Sequence, residues 1–193
     1  MKNPVLRLWV GPMFGSKTTQ LIASVDRYRL QSKKVLAFKS RLDDRYSESG
    51  EIVTHNGGRL ACTLVRKGSE IVEIVKNHID DVSVVAIDEA FMIEDCDEAI
   101  LKLYNSGVSV LVSSIDLSSD LRPFSVIKNI LPFATEINKC TAVCTVCGQD
   151  ANFTFKKNTV TGAEIEVGGS EIYEPRCWMH HDKTREEIWL NLH

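Results

Sequence analysis

Gly11-Pro12-Met13-Phe14-Gly15-Ser16-Lys17-Thr18 is the stretch on which the fold turns. Just upstream, Val5 to Val10 is apolar with only weak alternation, which predicts a buried strand. Downstream, Leu21, Ile22, Val25 and Tyr28 recur near helical spacing, so Thr18 to Leu30 is expected to be a helix with Asp26, Arg27 and Arg29 outward. A glycine-bearing turn between a strand and a helix N-terminus is the setting of a phosphate-binding loop. Its N–H groups and the positive end of the helix dipole wrap a β-phosphate, the lysine reaches the β and γ oxygens, and the threonine ligates Mg²⁺. The octet is therefore the candidate cradle for ATP, with Lys17 and Thr18 in those roles. It departs from the usual pattern at one place: Ser16 stands directly before the lysine, where glycine is normal, and Gly15 lies one residue earlier. A Cβ at that turn must find room or shift the loop. The plain alternative is a strand-to-helix turn with an incidental lysine.

A second segment argues against that alternative. Val82 to Ile87 is nearly continuous in apolar and β-branched residues and ends in Asp88-Glu89. Carboxylates at the C-terminal end of a buried parallel strand lie where such sheets bind ligands. Asp88 is the candidate to hold the Mg²⁺ water shell, and Glu89 the candidate to take a proton from an attacking hydroxyl. Further strands are expected at Val35 to Phe38 and Val108 to Val112, and helices at Ser69 to His78, with Ser69 as N-cap, and Asp95 to Ser106. Strands alternating with helices predict an α/β fold with a parallel sheet covered on both faces.

The chain has 193 residues, 44% hydrophobic and 25% charged, enough for one substantial core with a small appendage. A net charge of -3, with no stretch rich in Lys and Arg, gives no reason to expect a nucleic-acid partner. No secretory signal or membrane-length apolar run is read, so a cytoplasmic location without membrane attachment is expected.

Six cysteines are unevenly placed: Cys62 and Cys96 are isolated, while Cys140, Cys144, Cys147 and Cys177 gather late in the chain. Cys144-Thr145-Val146-Cys147 and Cys177-Trp178-Met179-His180 are two knuckles, each with two residues between its ligands. Such pairs meet at one tetrahedral Zn²⁺, and three thiolates with one imidazole make a closed, structural site. His181 is the alternative to His180, and Cys140 a spare thiol. The texture of the chain changes near Thr135, and Asn152 to Lys156 and Glu164 to Val167 look like short strands. Residues 1–140 are thus expected to form the phosphate-loop α/β domain, and residues 141–193 a small β-rich zinc lobe with a C-terminal helix.

Taken in order, Gly11 to Phe14, Asp43-Asp44-Arg45-Tyr46, Thr54-His55, Asp88-Glu89, Ile115-Asp116, Pro123-Phe124, Thr141 to Cys144, Gly168-Gly169, Tyr173 and Cys177 carry a resemblance. The chain resembles the type II thymidine kinases over about residues 5 to 182. The resemblance implies a RecA-like phosphate-loop domain joined to a zinc lobe whose loop clamps the nucleoside. It implies that Lys17, Arg45 and Glu89 serve catalysis, with Asp43 beside the phosphates. Met13, Ile115, Thr154 and Tyr173 match the pocket of the base methyl group, Met92 and Phe124 fall in the same substrate region, and Glu166, Val167, Gly168 and Gly169 match the clamping loop. A homotetramer, inhibited by the end-product triphosphate, is implied as well.

The sequence also departs from that family. Its Asp-Glu-x-Gln-Phe pattern becomes Asp88-Glu89-Ala90-Phe91-Met92, and Ser119 falls where a phenylalanine is usual. Both changes thin the walls of a nucleoside site. The expected activity is phosphoryl transfer from ATP to the 5′-hydroxyl of thymidine or a related pyrimidine deoxynucleoside. The alternatives are a nucleotide-binding regulatory protein that has lost transfer, and a RecA-like ATPase with a zinc ribbon.

Overall fold

The computed structural model describes residues 3–42, 50–54, 57–79, 81–157 and 168–181. The predicted strand after residue 5 is β1 (Leu6–Val10), and the helix that follows the glycine turn is α1 (Lys17–Leu30). The chain continues through β2 (Lys34–Ser40), a ribbon of β3 (Glu51–Val53) and β4 (Arg59–Ala61), then β5 (Thr63–Val65) and α2 (Gly68–Lys76). Next come β6 (Val82–Asp88), α3 (Cys96–Asn105), β7 (Ser109–Ser114), α4 (Ser125–Ile130) and β8 (Glu136–Lys139). Six strands form one sheet in the order β5-β2-β6-β7-β1-β8, every neighbouring pair parallel.

Side chains alternate across a strand, so each strand feeds two cores. On one face Val85, Ile87, Val110 and Val112 pack with Ile71 and Val75 of α2, Ile100 and Leu103 of α3, and Val126, Ile127 and Ile130 of α4. On the other face Val84, Ala86, Leu111 and Trp9 pack with Leu21, Ile22 and Val25 of α1, and with Ile52 and Leu60 of the ribbon. That double burial is why the strands read as nearly unbroken apolar runs.

Helix α2 is capped two residues earlier than its pattern suggested. Its N-cap is Lys67, not Ser69, and the Glu70 carboxylate accepts hydrogen bonds from the Arg66 and Lys67 amides. Glu70, at N3, thus reaches back to the amide of the N-cap residue and the one before it, the carboxylate half of a capping box. Gly68 is required at the start because a Cβ there would strike the Asp95 carbonyl and the Ala99 side chain.

Beyond β8, two short ribbons replace the parallel sheet: β9 (Ala142–Val143) with β10 (Asp150–Ala151), and β11 (Phe153–Lys156) with β12 (Tyr173–Arg176). The expected strand at Glu164 to Val167 and the expected C-terminal helix fall on residues 158–167 and 182–193, outside the described residues. Among the described residues no helix is long and apolar enough to cross a membrane.

Candidate active site

The C-terminal ends of β1 and β6 open into one cleft of about 280 Å³, lined by Met13 through Thr19, Lys39, Asp88, Glu89, Ile115 and Gly169 among others. The loop from Gly11 to Ser16 is tightly shaped. Gly11 has φ +144, and a Cβ on it would run into the Cys140 carbonyl at the end of β8. Phe14 (φ 64) and Ser16 (φ 57) take the left-handed conformation. Ser16 therefore occupies the backbone state that glycine adopts without strain, at a cost of about 1–2 kcal/mol. Helix α1 begins with no side-chain cap and no acidic residue in its first turn. Its opening amides are unopposed by any acidic side chain of that turn, which suits an anion.

Lys17 is buried, and its ammonium donates to the Pro12 carbonyl at 2.5 Å. Burial pulls its pKa down, while the charges of Glu89 and Asp88 pull it back up. Across the cleft the Thr18 hydroxyl donates to Asp88, 3.1 Å from Oδ1 and 3.3 Å from Oδ2. The Ser113 hydroxyl also donates to Asp88. Burial raises the Asp88 pKa, and the Ser113 bond, the Lys39 charge, the Thr18 bond and the Lys17 charge each lower it. Glu89, next in the chain, turns away through a left-handed residue (φ 52) and still lines the cleft.

The zinc knuckles converge. The ligand atoms of Cys144, Cys147, Cys177 and His180 all lie within 4.8 Å of one another. Cys147 Sγ is 3.7 Å from Cys177 Sγ, and His180 Nδ1 is 3.1 Å from Cys177 Sγ and 3.9 Å from Cys144 Sγ. Zn–S bonds near 2.3 Å put tetrahedral ligand sulfurs roughly 3.8 Å apart, so this donor set is compatible with zinc. His181 faces elsewhere: it is buried, edge-on to Phe153 and Phe155, with Nε2 3.3 Å from the Thr154 carbonyl. Cys140 is also apart from the cluster, its sulfur accepting from the Gln20 amide at 3.4 Å.

Comparison with known proteins now decides the family. A thymidine kinase family model matches residues 4–181. This chain belongs to the thymidine kinase family. A thymidine kinase of Thermococcus kodakarensis is 40% identical to it over 188 residues, covering 91% of this chain and 93% of the relative. A thymidine kinase of Aster yellows witches'-broom phytoplasma is 34% identical over 193 residues, covering 94% and 90%. One of Monkeypox virus is 34% identical over 177 residues, covering 92% and 96%.

Among the thymidine kinase positions expected from sequence, Met13 through Thr18, Asp88, Glu89, Ile115 and Gly169 line the one cleft. Gly11 and Pro12 shape its loop from behind. Thr154 is buried next to it, where its hydroxyl accepts the Met13 amide at 3.1 Å. Tyr173 opens β12 opposite Lys156. Met92 is buried, its carbonyl accepting the Ser40 hydroxyl at 3.1 Å. Phe124 packs on Phe91 with ring centroids 4.7 Å apart, so Phe91 is held by an aromatic partner in the segment where the family has glutamine. Gly168 is described but does not line the cleft. Arg45, Asp43, Glu166 and Val167 lie outside the described residues.

Lys39, which lines the cleft, and Ser113, which donates to Asp88, were among the residues not foreseen. Lys39 and Ser113 lie on the face of the sheet that carries Ala37, Ala86 and Leu111, which is the α1 face. Period-two alternation from Ala37 and Leu111 would have placed both there. The signal was masked because a lysine and a serine at strand ends read as the start of a loop.

Proposed function

We propose that this chain transfers the γ-phosphoryl group of ATP to the 5′-hydroxyl of thymidine or a closely related pyrimidine deoxynucleoside. The observation that carries this reading is the convergence of Lys17, Thr18, Asp88 and Glu89 on one cleft beneath an uncapped helix start. The loop amides and Lys17 would take the β and γ phosphate oxygens, with Lys17 exchanging its bond to the Pro12 carbonyl for them. Thr18 and Asp88, now hydrogen-bonded, are the pair that would hold Mg²⁺ and its water shell; bound there, the ion supplies charge neutralisation at the transferring group. Glu89 would accept the proton of the attacking hydroxyl. Little covalent chemistry is asked of the protein, so rate comes from positioning and charge.

In this reading Arg45 and Asp43 serve the phosphate end, and the segment from Glu166 to Gly169 holds the base near Met13, Ile115, Thr154 and Tyr173. Met92 and Phe124 support the nucleoside side from beneath. Residues 1–140 act as the nucleotide domain, and residues 141–193 as the lobe that a structural Zn²⁺ on Cys144, Cys147, Cys177 and His180 holds together. Assembly as a cytoplasmic homotetramer and inhibition by the end-product triphosphate belong to the same proposal.

Labelled ATP offered with thymidine, deoxyuridine, deoxycytidine and C5-substituted deoxyuridines tests it directly. A labelled 5′-monophosphate is expected from thymidine or from a C5-substituted analogue. Retained nucleotide binding with no transfer to any of them would overturn the assignment.

A further inference from the structure

Lys39 is a lysine with 4% exposure at the C-terminal end of β2. Burying an ammonium is costly unless opposite charge lies close, so its place calls for a reason. The register supplies one: Lys39 is the direct lateral partner of Asp88 on the neighbouring parallel strand, and lateral partners project from the same face. Ser113 follows Val112, the partner of Ile87, and donates to the same carboxylate. Lys39, Asp88 and Ser113 thus make one polar row across three strands, at the edge where α1 begins. The end of β2 is pinned there, because the next residue, Ser40, donates its hydroxyl to the Met92 carbonyl just after Glu89.

The charges in the cleft make the row matter. Lys17, Lys39, Asp88, Glu89 and Glu171 all line it. Lys17 opens α1 and in the kinase reading serves phosphate, whereas Lys39 is set by the sheet. Once Lys17 turns to a triphosphate, the two neighbouring carboxylates need a cation that stays.

We propose that Lys39 is a positioning residue for phosphoryl transfer: its sheet-anchored ammonium keeps Asp88 charged-paired and aimed at Thr18 while Lys17 engages the nucleotide. The functional half of this inference rests on the kinase reading; the lateral position of Lys39 beside Asp88 does not.

Two measurements on the full chain test it. The first compares Lys39→Met with the parent protein for kcat, for KM of thymidine and for half-saturation by Mg²⁺. The expected result is a Mg²⁺ half-saturation raised tenfold or more and a kcat lowered by a similar factor, with KM for thymidine within about twofold. Unchanged Mg²⁺ dependence in a folded Lys39→Met protein overturns the proposal. The second measurement is a melting cycle over Lys39→Met, Asp88→Asn and the double variant, without substrates. Loss of the cation should lower Tm by roughly 5 °C or more while Asp88 is charged, and by little in the Asp88→Asn background. If Lys39→Met alone does not fold, a folded double variant supports the pairing, and an unfolded one overturns it. Equal losses in both backgrounds overturn it as well. A parent protein without transfer would sink the kinase reading, and the melting cycle would still decide whether Lys39 is tied to Asp88.

Discussion

The Met13 amide donates a hydrogen bond to the Thr154 hydroxyl, 3.1 Å away, and this fastens the Gly11–Ser16 loop to the ribbon beside the Cys/His cluster. Next to it, Phe14 packs against Ala142, Cys144, Ala151 and Cys177. The tip of the loop is therefore seated on the same small core that the knuckles close. Metal removal should then be felt in the nucleotide site, although no proposed metal ligand lines it. Treatment with a strong zinc chelator is expected to remove about one zinc per chain and to weaken ATP binding tenfold or more, along with a lower Tm. Metal analysis paired with calorimetric titration of ATP checks this; ATP affinity unmoved in the zinc-free protein would show the two sites to be independent.

Glu89, just past the end of β6, has a left-handed backbone (φ 52) and lines the cleft. Replacement by glutamine keeps the shape and removes the proposed proton acceptor. Glu89→Gln is expected to lower kcat by about 10²–10⁴ while ATP binding stays within a fewfold. Steady-state kinetics beside equilibrium binding separate the two quantities, and turnover near the parent value would remove Glu89 from the role of base.

Ser16 shows how far the sequence could be read. The displaced glycine placed a Cβ before Lys17 that was expected to find room or shift the loop, and the backbone there is left-handed. Glycine would relieve about 1–2 kcal/mol of strain but would also free the unfolded chain by about 0.4–1 kcal/mol, so Ser16→Gly should leave stability level or slightly higher. Ser16→Val, a β-branched residue in a conformation that such residues avoid, should lower Tm and weaken ATP binding. Melting curves and ATP titrations of the two variants should move in opposite directions or, for glycine, hardly at all.

The sheet was legible because the central stretches of β1, β2, β6 and β7 are buried on both faces and are mostly apolar there. The edge strands were not. In β8, Glu136, Ile137 and Lys139 are exposed, and an edge strand facing water loses the apolar signature that marks its neighbours. β5 and the β3–β4 ribbon have three residues each, too few to show a period. In the site, residues carried by a local motif, such as Lys17, Thr18 and Asp88, could be named from sequence. Lys39 and Ser113 could not, because what unites them with Asp88 is lateral register between strands far apart in the chain.

Gly11 joins the loop to β8 in a way no motif announces. Its φ of +144 and the Cys140 carbonyl against its α-carbon leave no space for a methyl group. Gly11→Ala should cost about 3 kcal/mol or more, from backbone strain and overpacking together. Since the loop cannot relax without parting β1 from β8, nucleotide affinity should fall with stability. Thermal melting with and without ATP measures both, and an alanine variant with parent Tm would mean that the β1–β8 seam yields more easily than its geometry suggests.

His180 and His181 are neighbours that the sequence could not separate, and the structure gives them opposite surroundings. His180 brings Nδ1 to the sulfurs of Cys177 and Cys144, while His181 is packed between Phe153 and Phe155 beside the Thr154 carbonyl. His180→Ala should therefore lose metal, to well under one zinc per chain, because three thiolates remain without their fourth partner. His181→Ala should keep its zinc and instead lose about 2–3 kcal/mol of packing, since a buried ring leaves a cavity between two aromatic side chains. Zinc content and melting temperature, measured on both variants, should move in a crossed pattern. Zinc lost from the His181 variant and kept by the His180 variant would exchange their roles, and with them the placement of the small lobe over the phosphate loop.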